Sequence, residues 1–237
     1  KRITTKDVEP IKSQFKLSVN TVLNLLHLHT PEEIEHILRL SFFSYQKFGD
    51  KYDQVPTQIL LARYNSIIRK LERLAYLKEG KLSEKGVFSS KIFADEITLG
   101  EIFGTSFFEQ LDEYQILLIL ASVVYEPKEM NKFKTLFREQ RLASLKKCLY
   151  QSEYLSKEKK FLELDVLTSL IHPIYEGKTF FDLIDLSNLL EGDLIRFFGQ
   201  ILDRIGQIRK ATSHYALKRK MENCQGIIEK SLEGIYL

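Results

Sequence analysis

"LDEYQILLILASVVYEP" (Leu111–Pro127) decides the architecture of this chain. Asp112 and Glu113 open the stretch, Pro127 closes it, and no charge stands between Tyr114 and Tyr125. A surface helix keeps one polar face, so a helix that is apolar all round has to be buried. The run is also too short to span a bilayer. It therefore predicts the buried centre of a helical bundle, with amphipathic helices packed around it.

The flanking sequence supplies those helices. On the C-terminal side come a long charged helix predicted from about Lys128 to Lys157, then "LELDVLTSLIHPIYEG", "TFFDLIDLS", "EGDLIRFFGQILDRIGQIRK" (Glu191–Lys210) and a last helix ending in "IEKSLEGIYL". On the N-terminal side the helices are shorter. "SVNTVLNLLHL" sets Val19, Val22, Leu23 and Leu26 on one face. "TPEEIEHILRL" starts with Thr30 as N-cap and Pro31 at the first helical position, and presents Ile34, Ile37 and Leu38. A polar, turn-like connection (Lys47–Pro56) leads to a helix from about Thr57 to Tyr76, with Leu60, Tyr64, Ile67, Leu71 and Leu74 as its stripe. "YLKEGKLSEKGVFSSKI" then reads as a small hairpin turning at Glu79-Gly80. Helices followed by a hairpin outline a winged helix. The fold class is thus mainly α: a winged helix with a short β-hairpin wing over residues 1–95, then an α-helical bundle over 96–237.

Composition sets bounds. The 237 residues are 44% hydrophobic and 28% charged, as in ordinary soluble globular proteins. Cys148 and Cys224 make no disulfide framework and fit a reducing, cytoplasmic setting; no signal peptide or membrane span is present. The start, "KRITTKDVEP", lacks methionine and reads as processing or as a piece of a longer protein. The first 94 residues carry 16 Lys and Arg against 10 Asp and Glu, a net +6; the remainder carries 19 against 22, a net −3. The front is the part suited to an anionic partner.

Few residues have the spacing of a chemical site. Lys178-Thr179 in "EGKTFF" imitates a P-loop, but the required leading glycine is His172, and a helix rather than a strand precedes it. The five histidines have no zinc-ligand spacing and read as surface or capping residues; neither cysteine has a histidine partner. No catalytic residue, metal site or cofactor is assigned. Two surfaces remain. Arg63, Lys70 and Arg73, with Arg69 beside them, lie along one side of the helix before the hairpin. They read either as a nucleic-acid recognition face or as a solvated face. In Glu191–Lys210, Leu194, Phe198, Ile201, Ile205 and Ile208 form an apolar stripe, widened by Phe197 and Leu202. Arg196, Gln200, Asp203, Gln207 and Lys210 form the opposite stripe, bordered by Gly199 and Gly206. The glycines either admit a neighbouring helix closely or leave bare backbone facing a threaded strand.

These blocks resemble the region after the second RecA-like domain of Ski-type superfamily II helicases, which include the exosome-associated RNA helicases. The resemblance runs in order through "IKSQFKLSVNTVLNLLHL", "ILRLSFFSYQ", "IIRKLERLAYLKEGKLSEKG", "DEITLGEIFGTSFFEQLDEYQILLILASVVYEP", "YEGKTFFDLIDLSNLLEGDLIR" and the closing "IEKSLEGIYL". It implies a winged helix and the bundle called the DSHCT domain, a non-catalytic module of an ATP-dependent RNA helicase. The resemblance places ATP and magnesium only in the upstream motor. It aligns Glu191, Gly192 and Arg196 with the family's EG-x-x-IR motif, at the start of a ratchet helix that contacts the strand. The implied nucleic-acid-binding residues are Arg196, Gln200, Gln207, Lys210, Gly199 and Gly206. The implied partners are single-stranded RNA or DNA, the RecA-like domains of the same protein and an RNA-degradation complex. Two departures stand out. Relatives add basic residues after the arginine where this chain has "FFGQILDR", and the long arch insertion of eukaryotic members is replaced by the short connection Lys47–Pro56. The alternative is a protein-interaction scaffold that docks the helicase without touching the strand.

Overall fold

The structure is a computed structural model that describes residues 17–54 and 56–235. The opening residues through 16 and the last two, which carry parts of the first and last resembling blocks, lie outside the described residues. The chain divides into two compact units, residues 1–90 and 91–237. Among the described residues are twelve α-helices and one two-stranded sheet.

The first unit contains α1 (Val19–Leu28), α2 (Pro31–Arg39), α3 (Phe42–Phe48), a 3₁₀ stretch (Gly49–Gln54), α4 (Thr57–Arg73), β1 (Leu77–Lys78), β2 (Lys81–Leu82) and α5 (Glu84–Ser90). The predicted start of α2 has its chemistry in place. Thr30 accepts the Glu33 amide and the Glu33 carboxylate accepts the Thr30 amide, closing a capping box before Pro31. The Thr30 backbone N–H holds the Glu33 carboxyl below its usual range. The region predicted as a polar turn instead holds the end of α3, which Ser41 caps and Gly49 at φ +57° ends, and then the 3₁₀ stretch, interrupted at Lys51. Predicted core residues Val22, Leu23, Ile34, Leu38, Ile67 and Leu71 are buried, whereas the Leu60 side chain is outside those described.

α4 stops at Arg73, three residues earlier than its periodicity predicts. Ala75 takes a left-handed φ of +58° and the Tyr76 amide turns back to the Leu71 carbonyl, which closes the helix. The hairpin pairs Leu77 with Leu82 and Lys78 with Lys81 around Glu79 and Gly80, both at positive φ. That is the two-residue turn whose twist suits a hairpin. The apolar run after it does not continue as strand. Ser83 caps α5 by accepting the Gly86 amide, and its hydroxyl donates to the Ala75 and Tyr76 carbonyls. Gly86 is needed for this approach: a Cβ there would stand 2.3 Å from the Tyr76 carbonyl oxygen.

The second unit contains α6 (Glu96–Phe103), α7 (Glu113–Val124), α8 (Gln140–Gln151), α9 (Leu164–Tyr175), α10 (Phe180–Ile184), α11 (Glu191–Ala211) and α12 (Tyr215–Ser231), with 3₁₀ turns between α6 and α7 and between α8 and α9. Every residue of α7 from Tyr114 to Val123 is buried, and α8, α9, α11 and α12 all pack on it. An Asp112–Gln115 capping box starts it, and Gln115 then donates its side-chain amide to the Arg141 carbonyl. The P-loop imitation resolves into ordinary helix ends. Gly177 at φ +83° terminates α9, and Thr179 and Asp182 form the capping box of α10.

One predicted helix is shortened: of the predicted Lys128–Lys157, α8 covers Gln140–Gln151. Between Tyr125 and Glu139 the chain is extended, not helical, and α8 begins only at Gln140. The backbone groups of this strap find partners elsewhere in the unit. Phe133 bridges Ser187; the Lys132 amide donates to Asn188 Oδ1 at 2.6 Å, and the Lys134 amide to the Leu186 carbonyl at 2.8 Å. The Phe137 amide donates to Thr168 Oγ1, and the Ser169 hydroxyl to the Thr135 carbonyl. Lower down, His172 stacks on Phe137 with centroids 4.2 Å apart and pairs with Glu139. His172 is therefore a half-buried fastening for the strap and not the surface or capping residue that its spacing predicts.

Gly86→Ala should lower unfolding stability by about 1–3 kcal/mol, since the added methyl forces backbone to move rather than a flexible side chain. Urea denaturation followed by circular dichroism measures the loss, and an unchanged midpoint would contradict the close approach.

Candidate nucleic-acid interface

α11 is a 21-residue helix with Glu191 and Asp193 in its first turn and Arg209 and Lys210 in its last, the arrangement that its dipole favours. Leu194, Phe197, Phe198, Ile201, Ile205 and Ile208 are buried, as the apolar stripe predicts, and Leu202 is half-buried at its margin. On the other side Arg196, Gln200, Asp203 and Lys210 are exposed. Arg196 is 66% exposed, and its guanidinium lies 3.8 Å from Asp193. An ion pair so loose and so wet contributes little and leaves the guanidinium available.

Gln207 behaves differently. Its Oε1 accepts the Phe93 amide at 3.0 Å and its Nε2 donates to Asp203 at 2.7 Å. Asp203 also accepts from Arg204 at 2.8 Å. Gln207 is therefore a tether for the segment before α6, and both ends of its amide are in use within the protein. It holds the backbone of Phe93, whose ring is 71% exposed.

Gly192, Gly199 and Gly206 follow one another at two-turn spacing along the edge that also carries Arg196, Asp203 and Lys210. A Cβ built at any of the three meets no heavy atom within 4 Å beyond the helix's own backbone and the adjoining residues. Among the described residues, then, no neighbouring helix packs closely on these glycines, and the packing explanation for Gly199 and Gly206 is corrected.

The strap forms the opposite wall. Tyr125, Glu126, Lys128 and Asn131 line a cleft with Asp193, Arg196 and Gln200. Tyr125 positions this wall: its ring packs edge-on against Phe133 at 6.0 Å and Phe197 at 6.4 Å, and its hydroxyl accepts from Asn131 at 2.9 Å. Burial raises the pKa of that hydroxyl. Beyond Gln200 a second hollow is lined by Lys159, Lys160, Glu163 and Arg204, with Lys160 bonded to Asp95 at 2.6 Å. Charges of both signs line both hollows. Lys128, Asn131 and Phe93 carry no motif in the sequence; only the fold brings them beside α11.

The second predicted surface is in the first unit. Arg63, Arg69, Lys70 and Arg73 line a single groove on α4. Arg69 Nε donates to the Asn65 carbonyl at 3.3 Å, which fixes its stem along the helix. Among the described residues, no group of three or more His, Cys, Asp or Glu side chains could hold a metal ion, and no helix is long and apolar enough to cross a membrane.

Residues 79–232 match the family model described as the DSHCT (NUC185) domain, and the chain belongs to that family. The match begins in the hairpin, at Glu79, and runs through α5 and the bundle. DSHCT domains are non-catalytic modules of DExH helicases, so the class of protein is a helicase accessory module. No curated protein matches the chain.

Gly199→Ala and Gly206→Ala should each stabilise the protein by about 0.5–1 kcal/mol, because a methyl at a solvent-facing helical position meets nothing and narrows the unfolded ensemble. Thermal melts of the two variants check this, and a drop in either melting temperature would reveal a neighbour on the glycine edge.

Proposed function

We propose that this chain is the C-terminal module of a Ski-type, ATP-dependent RNA helicase, in which the glycine edge of α11 faces a single strand drawn through by the RecA-like motor. The observation that carries the reading is the open edge itself. The helix gains nothing from three glycines that no neighbour covers, and the two in its interior, Gly199 and Gly206, each cost about 1 kcal/mol of helix propensity. A strand passing close to the backbone gives them a use. The first unit, with α4 followed by the β1–β2 hairpin, serves in this reading as the winged helix.

Along that edge the residues divide by role. Arg196 supplies a charge-assisted donor to phosphate or a flat cation on which a base stacks. Gln200 supplies a neutral donor and acceptor one turn on. Lys210 adds a cation at the far end. Gln207 acts by holding Phe93 and does not itself reach the strand. No group in the cleft performs bond chemistry, so the module positions and guides, while ATP and magnesium act in the motor.

A second reading, a docking scaffold without strand contact, is favoured by two exposed apolar side chains. Met130 is 80% exposed and Leu190 73% exposed, and Asn188 donates to the Met130 carbonyl, tying the strap to the chain just before Leu190. The two readings separate in the helicase that carries this module. Arg196→Ala should weaken single-stranded RNA binding about ten- to a hundredfold, on the scale of one lost charged hydrogen bond, and slow unwinding. Fluorescence anisotropy and a strand-displacement assay read the two effects. Unchanged affinity and unwinding in Arg196→Ala and Gln200→Ala, with loss of motor association in Met130→Asp, would establish the scaffold instead.

A further inference from the structure

We infer that Phe93 is a base-stacking platform at the end of the strand path along α11. The inference rests on the reading of α11 as facing a strand, and adds a contact that α11 itself does not make. The path is one furrow. The cleft beside Arg196 and the hollow beside Arg204 share Val124, Tyr125, Glu126 and Gln200. The wall of the second includes Ala94, the residue after Phe93. Gln207, which accepts the Phe93 amide, lies about three turns beyond Arg196 on the same polar stripe, a rise of about 16 Å.

Exposure alone would carry no meaning, because single apolar side chains are common on protein surfaces. What sets Phe93 apart is an exposed ring on a backbone fixed from both sides. Ile92 before it is fully buried. The Phe93 amide donates to Gln207 Oε1 at 3.0 Å, and Gln207 is itself held by Asp203 at 2.7 Å. Asp95 takes a left-handed φ of +57° and bonds to Lys160 at 2.6 Å. Yet the ring is 71% exposed, and among the described residues no other ring or cation stacks on it. The tether needs only a backbone amide, so it gives no reason for a large aromatic side chain.

The surroundings select a nucleobase over an apolar protein side chain. Hot spots of protein interfaces lie in ground from which charged residues are depleted. Here the exposed neighbours are Lys91, two residues before Phe93, and Asp203 and Lys210, each about one turn from Gln207 on α11. A nucleotide joins a flat apolar face to an anionic backbone, which suits a ring flanked by lysines. Phenylalanine offers only its face, so it accepts any base and carries no sequence preference. A ring on a fixed backbone also loses little freedom on binding, having two side-chain torsions to settle.

The platform is tested in the helicase that carries this module, by anisotropy with a fluorescein-labelled oligouridylate. Phe93→Ala should weaken binding about five- to fiftyfold, on the scale of one lost base stack, and Phe93→Leu should recover little of it. Phe93→Trp should keep the original affinity. The slope of log affinity against log salt should be the same in all three, since no phosphate contact is removed. A single 2-aminopurine scanned through the strand should be quenched at one position in the unaltered protein and bright there in Phe93→Ala. An abasic residue at that position should cancel the effect of Phe93→Ala. Gln207→Ala frees the backbone under the ring and should reduce the quenching, with no further loss of affinity in a Phe93→Ala background. If Arg196→Ala weakens binding and Phe93→Ala does not, the platform is overturned and the reading of α11 stands. If Phe93→Ala weakens binding while Arg196→Ala and Gln200→Ala do not, the stacking contact stands and that reading fails. If none of them weakens binding, both fall. Unaltered affinity in Phe93→Leu, or a Phe93→Ala loss that survives an abasic residue at every position, would make the ring an apolar protein contact and overturn stacking. Circular dichroism melts confirm that all variants fold.

Discussion

Ten consecutive buried residues on α7 constrain everything else in the second unit. A helix that offers no polar face to water has to be covered on every side, and a single neighbour cannot do it. α8, α9, α11 and α12 provide that cover, and each becomes amphipathic by facing α7. The polar edge of α11 is thus a by-product of the same packing. Phe197, Phe198 and Ile201 look inward, so Arg196, Gly199 and Gln200 are left at the surface. The candidate interface inherits its rigidity from the hydrophobic centre.

What the sequence made legible was whatever depends on neighbours close in the chain. The α7 run, the α11 stripe, the Thr30 N-cap and the Glu79-Gly80 turn all rest on interactions within a few residues, and all stand where their patterns put them. The strap was illegible for the converse reason. Its residues have acceptable helix propensity, but Asn188, Leu186, Thr168 and Ser169 satisfy its backbone from 31 to 58 positions away. Tertiary hydrogen bonds overrode local preference there. The same distance hid Lys128 and Asn131 from the reading of the Arg196 site. The bond from the Phe93 amide to Gln207 was hidden in the same way, its two ends lying 114 residues apart.

The two candidate surfaces differ in electrostatic kind. Beside α11, Arg196 and Lys128 are interspersed with Asp193 and Glu126, so the local field is weak and contact depends on geometry and stacking. On α4 the field has one sign, acts at longer range and is sensitive to salt. A module that lets a strand slide benefits from a weak, neutral wall, since deep electrostatic wells hinder translocation. A surface that captures or retains a strand benefits from the opposite. On the proposed reading, the absence of added positive charge after Arg196 would suit a low-friction guide.

The strap also has a kinetic consequence. Its bonds to Asn188 close loops of 56 and 58 residues, so chain entropy opposes them until the helices on either side are already docked. The wall opposite Arg196 is therefore among the last parts to assemble and among the first to release. Its amides, those of Lys132 and Lys134 above all, should exchange with solvent through opening of the strap alone, while those of α7 should wait for global unfolding. The strap side of the cleft should therefore open more readily than the α11 side, which the bundle holds.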